Sequence, residues 1–305
     1  MRIVCIGQAA FGEAVLRKLT ETGEEVVAVY APPDTAGKRD PLRELAIQKG
    51  IPVFQPGSMR VPEVYEEYIR LKPDLNVMAF VTSILPDSIL DYPRLGTIQY
   101  HPSLLPKHRG ASAINWAIIN GETKTGITIF WPDRGVDTGP ILLQKEVEIP
   151  PDDTVGSLYF EKLFPLGIAA LVEAIELIKK GTAPRIPQDE SQANYEGLCT
   201  EKDAMINWSA PIDRVYNLIR GTNPQPGAIT HFHGKKLKIF DVKPIHDIVG
   251  GSPGQIVDIG ADGFVVSLKR GAILVQRIQI NKLPKIEAPE FARQSRLAPG
   301  DRLGQ

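Results

Sequence analysis

Strand-forming and helix-forming segments alternate through the first third of the chain, and this alternation constrains the fold more than any other feature. The strand candidates are short and rich in apolar and β-branched residues: 2–7, 25–31, 51–54, 75–80 and 96–101. Helical spacing of apolar residues marks most of the segments between them: 11–22, 41–49 and 62–71. Because neighbouring parallel strands need a crossover connection, the alternation predicts an α/β class with a Rossmann-like, mostly parallel sheet.

The rest of the chain predicts an edge hairpin, a long helix and then a different kind of domain. Segments 125–131 and 141–149 alternate like antiparallel strands, and a long apolar stripe follows the helix-capping residues near Thr154. Five short strand candidates separated by glycines then predict a small β-barrel: 228–232, 236–242, 255–259, 263–268 and 273–280. We expect a Rossmann-like domain at 1–182, a linker at 183–203 that packs across this domain, and the barrel at 204–305.

The charge balance is consistent with this division. The formal net charge is −1 for the whole chain, −6 up to Cys199 and +5 from Thr200 onwards. A nearly neutral chain argues against a protein that holds nucleic acid by charge over its whole surface.

Cysteine and histidine usage predicts no metal site. The two cysteines, Cys5 and Cys199, lie far apart and no cluster of histidines accompanies either one, so neither a disulfide framework nor a cysteine-ligated zinc site is expected. His231 and His233 lie two residues apart in a predicted strand and so face the same side, which could place two nitrogens on one metal. No third ligand is evident, and the end of an exposed hairpin is the favoured interpretation.

The sequence gives no sign of a secretion signal or a membrane span. The apolar run after Met1 is short, and the apolar stretch 167–178 is interrupted by Glu173 and Glu176. We therefore expect a cytoplasmic protein without a membrane partner.

The first glycine-rich loop, 7–12, resembles a dinucleotide-binding turn only superficially. Ala9 replaces the glycine that would let the backbone approach a pyrophosphate, and the second predicted strand ends in Ala31 rather than in an acidic residue. A tight turn from strand to helix is the favoured interpretation.

Two loops at predicted strand ends contain the chemically informative residues. His101 ends a predicted parallel strand, at the sheet edge where ligand crevices form, and Pro102 stops that strand. Asp137 lies between Gly135 and Gly139 in the turn after another strand, where exposed backbone could bind a flat heterocycle and the carboxylate could act as a base. Asp133 is also compatible with a purely structural role in this turn.

The loop HPSLLPKHRGAS and the turn DRGVDTG resemble the formyltetrahydrofolate-dependent formyltransferase superfamily. Its motif places an Asn-x-His at one strand end and an Asp in a G-x-D-x-G turn, and His101 and Asp137 match it at a separation of 36 residues. Further stretches, including LNVMAFVTSILP and HRGASAINWAIINGE, are most similar to the amino-terminal hydrolase domain of 10-formyltetrahydrofolate dehydrogenase. The resemblance extends to about residue 282 and includes the predicted barrel.

The resemblance implies removal of the formyl group of 10-formyltetrahydrofolate, without a metal, in the first domain. It assigns catalysis to His101, Asp137 and Gln99. The reduced folate would contact two loops and one nearby apolar residue: Phe80, Val81, Thr82, Ile84, Leu85, Leu104, Asp133, Arg134, Gly135 and Val136.

One departure from the motif bears on the formyl acceptor. Transferases of the superfamily carry Asn two residues before the histidine, where this chain has Gln99, and the hydrolase domain also lacks that Asn, so the change favours hydrolysis. Methionyl-tRNA formyltransferase is the alternative, consistent with the basic carboxy-terminal part, and formylation of an amino sugar is a third. A folate-binding regulator without turnover is expected only if Gln99 disables the site.

Overall fold

The computed structural model describes residues 1–35, 37–247 and 250–304. Its first part is built around one seven-stranded sheet. The strands of this sheet are, in chain order, β1 (Arg2–Gly7), β2 (Glu25–Tyr30), β3 (Val53–Phe54), β4 (Leu75–Ala79), β5 (Thr97–His101), β6 (Lys124–Phe130) and β7 (Ile141–Glu148). The helices that follow β1 to β5 are α1 (Ala9–Glu21), α2 (Pro41–Gln48), α3 (Pro62–Arg70), α4 (Asp87–Leu90) and α5 (Ala113–Ile119).

The sheet has the strand order β3-β2-β1-β4-β5-β6-β7. The first five strands of that order pair in parallel, and β6 pairs antiparallel to β5. The predicted Rossmann-like, mostly parallel sheet is therefore confirmed. Because β4 and β5 are parallel neighbours, the residues that follow Ala79 and His101 emerge at the same edge of the sheet.

Apolar residues cover both faces of this sheet. Successive residues of β1 alternate between two core clusters, since Val4 and Ile6 pack with Tyr68 and Met78 while Cys5 packs with a separate group of residues. That group consists of Leu16, Val29, Ala31, Leu42, Leu45 and Ala46. Burial on both faces explains why these strands are almost continuously apolar.

The turn from β1 into α1 is fixed by packing and by an internal carboxylate. A Cβ atom at Gly7 would lie 2.2 Å from the carbonyl oxygen of Ala79, so only glycine fits. The Asp40 carboxylate accepts the backbone N–H of Ala9 at 2.8 Å and that of Leu42 at 2.9 Å, so one side chain binds the first residues of both α1 and α2. These contacts agree with the interpretation of the glycine loop as a tight turn.

A buried polar network joins β4, β5 and the α4 segment. Asn76 is fully buried, and its amide donates to the carbonyl of Ile89 at 3.0 Å and to the Thr97 hydroxyl at 3.1 Å. Tyr68 donates its hydroxyl to the Asn76 carbonyl oxygen at 3.0 Å, and Thr97 donates to the Leu90 carbonyl at 2.7 Å. The network anchors the far end of the loop that follows β4.

We expect Asn76→Leu to lower the free energy of unfolding by about 2 kcal/mol, because it leaves the buried partners of the amide without hydrogen bonds. Urea denaturation followed by circular dichroism measures the change. Tyr68→Phe removes a single hydroxyl from the same network and should cost about 1 kcal/mol. Equal midpoints for wild type and Asn76→Leu would contradict the stabilising role of the network.

The long helical segment after β7 is continuous but changes its winding. It consists of α6 (Val155–Ser157), a π-helical turn (Leu158–Leu163) and α7 (Phe164–Lys179). Thr154 and Ser157 form a capping box, as the sequence pattern at this helix start indicates. In the described residues, one helix, Val155–Lys179, is long enough and apolar enough in composition to cross a membrane. One face of α7 is buried at Gly167, where a Cβ atom would lie 2.4 Å from the Tyr100 ring, and the core helix of a soluble protein passes the same test of length and composition.

The last third of the chain contains α8 (Ile212–Gly221), α9 (Ala288–Ser295) and antiparallel strands. The strands are β8 (Ala228–Phe232), β9 (Lys235–Ile239), β10 (Val242–Ile245), β11 (Ile256–Gly260), β12 (Gly263–Ser267), β13 (Ala272–Val275), β14 (Arg277–Ile280) and β15 (Lys285–Glu287). They form two four-stranded sheets, β10-β13-β12-β11 and β15-β14-β9-β8, which contribute to a common apolar core.

Two of the five predicted strands of this part are each divided in the structure. The segment predicted as one strand at 273–280 is β13 followed by β14, and these belong to different sheets. At the division, the carbonyl of Asp241 accepts the N–H groups of Gln276 at 2.8 Å and Arg277 at 3.3 Å, and Asp241 itself lies between β9 and β10. The prediction of uninterrupted strands was wrong here because a change of sheet leaves the apolar pattern unbroken.

The chain forms two compact units. One contains Met1–Gly110, Gly126–Val147 and Glu161–Tyr195, and the other contains Ala111–Thr125, Glu148–Phe160 and Glu196–Gln305. The boundaries that we expect at residues 182 and 203 stay predictions.

Candidate active site

His101 lies at the end of β5 and is 5% exposed. Its Nε2 atom lies 2.8 Å from the carbonyl oxygen of His108, within the loop that follows the strand. Its Nδ1 atom lies 3.5 Å from Oδ2 of Asp137. The structure therefore brings together the histidine and the aspartate that the sequence analysis singled out.

Asp137 lies in the turn after β6, with a left-handed backbone (φ +56°). Its side chain is 9% exposed, and its Oδ2 accepts the backbone N–H of Gly110 at 2.8 Å. The same oxygen thus faces both a fixed donor and the imidazole of His101. Aspartate tolerates left-handed backbone better than most residues, so this turn can hold a carboxylate there.

Both ring nitrogens of His101 face hydrogen-bond acceptors. Nε2 faces the carbonyl oxygen of His108, and Nδ1 faces the carboxylate of Asp137. The distance of 3.5 Å from Nδ1 of His101 to Oδ2 of Asp137 exceeds that of an ordinary hydrogen bond, so the two groups lie close together without a full hydrogen bond between them.

Gln99 lies two residues before His101 in β5, so both side chains point to the same side of the sheet. It is half-buried, with Met78 of β4 and Phe130 of β6 as its neighbours in the sheet. Its amide forms no hydrogen bond with any residue that the structure describes, which leaves its donors available to a ligand.

The loop after His101 is held by two side chains of the neighbouring strands. The hydroxyl of Thr128 in β6 donates to the Ser103 carbonyl at 2.6 Å and accepts the Leu105 N–H at 3.1 Å. Gln144 of β7 donates to the Leu105 carbonyl at 2.8 Å and to the Thr128 hydroxyl at 2.9 Å. These contacts fix the course of the loop, which places the carbonyl oxygen of His108 2.8 Å from Nε2 of His101.

Asp133 has a structural role in the turn before Asp137. Its Oδ1 atom accepts the N–H of Gly135 at 3.0 Å and the hydroxyl of Thr138 at 2.5 Å. A Cβ atom at Gly135 would lie 2.0 Å from that hydroxyl oxygen, so a larger residue there would displace the Thr138 side chain from Asp133. These contacts agree with the alternative that Asp133 serves the turn, and Asp137 is the carboxylate that faces His101.

A cavity of about 410 Å³ lies beside this turn. Three of the predicted folate-contacting residues, Asp133, Arg134 and Gly135, line it. The other lining residues are Asp87, Leu90, Asp91, Trp131, Pro132, Pro140 and Arg185. Arg134 forms an ion pair with Asp87 at 2.8 Å.

The other predicted contact residues differ in exposure. The apolar side chains of Phe80, Ile84 and Val136 are exposed, although large apolar residues usually are not. Thr82 is exposed and Val81 is half-buried. The two loops therefore offer apolar surface that a flat ligand could cover.

Leu104 and Leu85 lie in more protected places. Leu104 is half-buried, and a Cβ atom at Gly126 would lie 2.6 Å from its side chain. Leu85 is 3% exposed and packs in the core cluster with Ile89 and Leu90.

Further residues hold the backbone of this site, and the sequence did not predict their contacts. Segment 184–195, which we call the strap, lies in the predicted linker and packs within the unit that contains the sheet. Its Gln188 donates to the carbonyls of Asp137 and Gly139, and its Asn194 accepts the N–H of His108. Polar residues in a proline-containing stretch have no periodicity that distinguishes them from a solvated linker, so the sequence held no signal for these contacts.

Within residues 1–35, 37–247 and 250–304, no group of three or more His, Cys, Asp or Glu residues is arranged to hold a metal ion. The chemistry that the described groups offer is acid-base and electrostatic.

Comparison with known proteins gives two family matches. A profile described as "Formyl transferase" matches residues 1–175, and one described as "Formyl transferase, C-terminal domain" matches residues 199–296. Together they cover the sheet with its candidate site and most of the antiparallel β structure.

Two curated relatives align with long parts of the chain. Cytosolic 10-formyltetrahydrofolate dehydrogenase from Mus musculus is 49% identical over 246 residues, which is 79% of this chain but 27% of the relative. Methionyl-tRNA formyltransferase from Geobacter sulfurreducens is 40% identical over 311 residues, covering 100% of this chain and 97% of the relative.

A solved structure shares the fold. HypX from Aquifex aeolicus, in complex with tetrahydrofolic acid, superposes with a TM-score of 0.71 over 99% of this chain and 48% of its own, at 19% sequence identity. At this level of identity the likeness concerns the fold.

Proposed function

Since the chain belongs to the formyl transferase family, we propose that it removes the formyl group of 10-formyltetrahydrofolate, and that the first acceptor to test is water. The observation that supports this most directly is the buried His101–Asp137 pair, with Oδ2 of Asp137 also held by Gly110. The relatives' names contain 10-formyltetrahydrofolate dehydrogenase and methionyl-tRNA formyltransferase, both consistent with formyl chemistry.

The proposed hydrolysis proceeds in two steps. Asp137 accepts a proton as the water oxygen bonds to the formyl carbon, and the formyl oxygen becomes an oxyanion. The C–N10 bond then breaks, Asp137 returns its proton to N10, and tetrahydrofolate leaves with formic acid, which ionises to formate. The imidazolium of His101 stabilises the oxyanion by its charge, in a buried position where electrostatic interactions are strong.

Gln99 would add a hydrogen-bond donor for the same oxyanion. Its amide is unpartnered among the described residues and lies on the same side of the strand as His101. An amide donor at this position favours an enzyme that turns over the folate, rather than a folate-binding regulator without turnover.

The pterin ring would bind between the loop after β4 and the turn 133–136. The exposed apolar side chains of Phe80, Ile84 and Val136 and the adjacent cavity of about 410 Å³ support this placement. The cavity adds charged groups beside this apolar surface, since Asp87, Asp91, Asp133, Arg134 and Arg185 line it. We also expect the protein to act in the cytoplasm.

Formylation of methionyl-tRNA is the second candidate function. The specific observation that favours it is the alignment over 97% of the length of the bacterial methionyl-tRNA formyltransferase. The net charge of +5 from Thr200 onwards is also compatible with a nucleic-acid partner.

One assay separates these functions. The purified chain is incubated with 10-formyltetrahydrofolate alone, with initiator methionyl-tRNA, or with nucleotide-linked amino sugars, and tetrahydrofolate formation is followed. Formation without any acceptor supports hydrolysis, and formation that requires one acceptor identifies that transfer. Absence of tetrahydrofolate in all three mixtures would contradict the proposed function.

We expect only weak binding of initiator tRNA. Binding through phosphate contacts weakens steeply as salt increases, because each contact releases counterions. Filter binding or fluorescence anisotropy at several salt concentrations measures the affinity, with an elongator tRNA as the matched control. Tight, salt-sensitive binding that prefers the initiator tRNA would make methionyl-tRNA formylation the leading function.

A further inference from the structure

Asp137 of the catalytic pair and His108 beside it have left-handed backbone, although neither is glycine. His108, whose carbonyl binds His101, has φ +55°, and Asp137 has φ +56°. Such conformations persist only where the surrounding structure compensates for their cost. The question is therefore which groups hold these two positions.

The strap binds the backbone at both of them. Gln188 donates one side-chain amide to two carbonyls, that of Asp137 at 2.8 Å and that of Gly139 at 2.7 Å. Asn194 accepts the N–H of His108 at 2.5 Å through its side chain and the N–H of Arg109 at 3.1 Å through its backbone.

Arg109 fixes the orientation of the Gln188 amide. The guanidinium of Arg109 is buried and donates to Oε1 of Gln188 from Nε at 3.1 Å and from a terminal nitrogen at 2.8 Å. It also forms a two-pronged ion pair with Glu190, with contacts of 2.9 and 2.7 Å. Because Oε1 faces Arg109, the NH₂ group of Gln188 must face the two carbonyls. The hydrogen bond to Glu190 raises the pKa of the guanidinium, which keeps it charged.

The strap is itself attached to the sheet. Trp131 donates its indole N–H to the Pro184 carbonyl at 2.9 Å, and the guanidinium of Arg185 lies 4.0 Å from the centre of the same indole. Ile186 pairs with Ile141 of β7 through two backbone hydrogen bonds of 2.8 and 2.9 Å. Gln188 therefore extends from a firmly held backbone.

We propose that Gln188 is a positioning residue, which holds the backbone of Asp137 so that the carboxylate remains against His101. This inference rests on the proposed function, since it assigns to Gln188 an effect on turnover through Asp137. Gln188 touches neither the imidazole nor the carboxylate in any contact described for it, so its effect is indirect.

Gln188→Leu tests the inference, with Gln192→Leu as the matched control. Gln192 lies in the same strap and is exposed, and its side chain forms no hydrogen bond with the part of the chain that the structure describes. With 10-formyltetrahydrofolate we expect kcat to fall about 10- to 100-fold for Gln188→Leu, since a displacement near 1 Å of a reacting group can cost about two orders of magnitude. KM should change less than about twofold, because the folate loops keep their own contacts.

A spectroscopic readout separates positioning from general destabilisation. The ¹⁵N chemical shifts of the His101 ring report whether its Nδ1 still faces a carboxylate, and a His101 variant assigns them among the five histidines. We expect them to move in Gln188→Leu and to stay unchanged in Gln192→Leu. If the leucine variant does not fold, Gln188→Asn, with the same amide on a shorter stem, provides the same two measurements.

Unchanged His101 chemical shifts in Gln188→Leu would overturn the inference, whether or not kcat falls. A fall in kcat without a change in these shifts would reflect loss of folded protein. Tetrahydrofolate formation by the wild-type chain shows whether the proposed function itself holds. If the wild type forms none, the proposed function fails, and the His101 shifts still decide whether Gln188 holds Asp137 in place.

Discussion

Asp137→Asn should fold normally and bind reduced folate, but its turnover should fall by a factor of about 10² to 10⁴, the range that a general base contributes. Its amide oxygen can still accept the Gly110 N–H, and asparagine tolerates the left-handed backbone at φ +56°. The amide cannot take a proton from water. Since the amide oxygen takes the place of Oδ2, it would also face Nδ1 of His101, but without the negative charge of the carboxylate.

The measurement is kcat for tetrahydrofolate formation, together with the dissociation constant of tetrahydrofolate. Asp133→Asn is the informative control, since Asp133 serves the turn and an amide oxygen can replace its acceptor role. A properly folded Asp137→Asn protein with wild-type kcat would show that another group acts as the base.

The second large effect is expected at Gln99. If its amide donates to the oxyanion, Gln99→Leu should reduce turnover by about 10² to 10³, as when one such donor is removed from a preorganised site. Unchanged turnover would mean that the stem, longer by one methylene than that of asparagine, keeps the amide away from the formyl oxygen. Gln192→Leu in the exposed part of the strap controls for the substitution itself.

Gln99→Asn tests the choice of acceptor. A shorter amide would hold the formyl carbonyl for one line of attack, so we expect transfer to an amine to rise relative to hydrolysis. The measurement is the ratio of formylated amine to formate at saturating folate. A wild-type ratio would show that this position does not select the acceptor.

Much of the architecture of the site follows from the sequence because it depends on local patterns. Strand periodicity places His101 at the end of β5, and parallel pairing brings that end to the edge of the sheet beyond β4. The glycine spacing around Asp137 likewise indicates a tight turn. These features need no knowledge of residues distant in the chain.

The contacts of the strap could not be predicted, because they depend on distant partners. Gln188 meets Asp137 across 51 residues, and Asn194 meets His108 across 86. A single glutamine in a polar segment has the same local sequence whether it hydrogen-bonds to a catalytic turn or to water. Leu85 illustrates the same limit, since its apolar character indicates burial without indicating whether it faces a pocket or the core.

The two helix starts that share Asp40 have a consequence for the range of ligands. In many α/β proteins the helix after the first strand presents free N–H groups and a partial positive charge to a phosphate. Here a resident carboxylate already takes the Ala9 N–H, at 2.8 Å, so a phosphate at that position would meet a negative charge instead of a free donor. The turn from β1 into α1 is similar to that of a nucleotide-binding domain, but the Asp40 carboxylate takes the place of a nucleotide phosphate. We therefore expect no phosphate-bearing ligand at the start of α1.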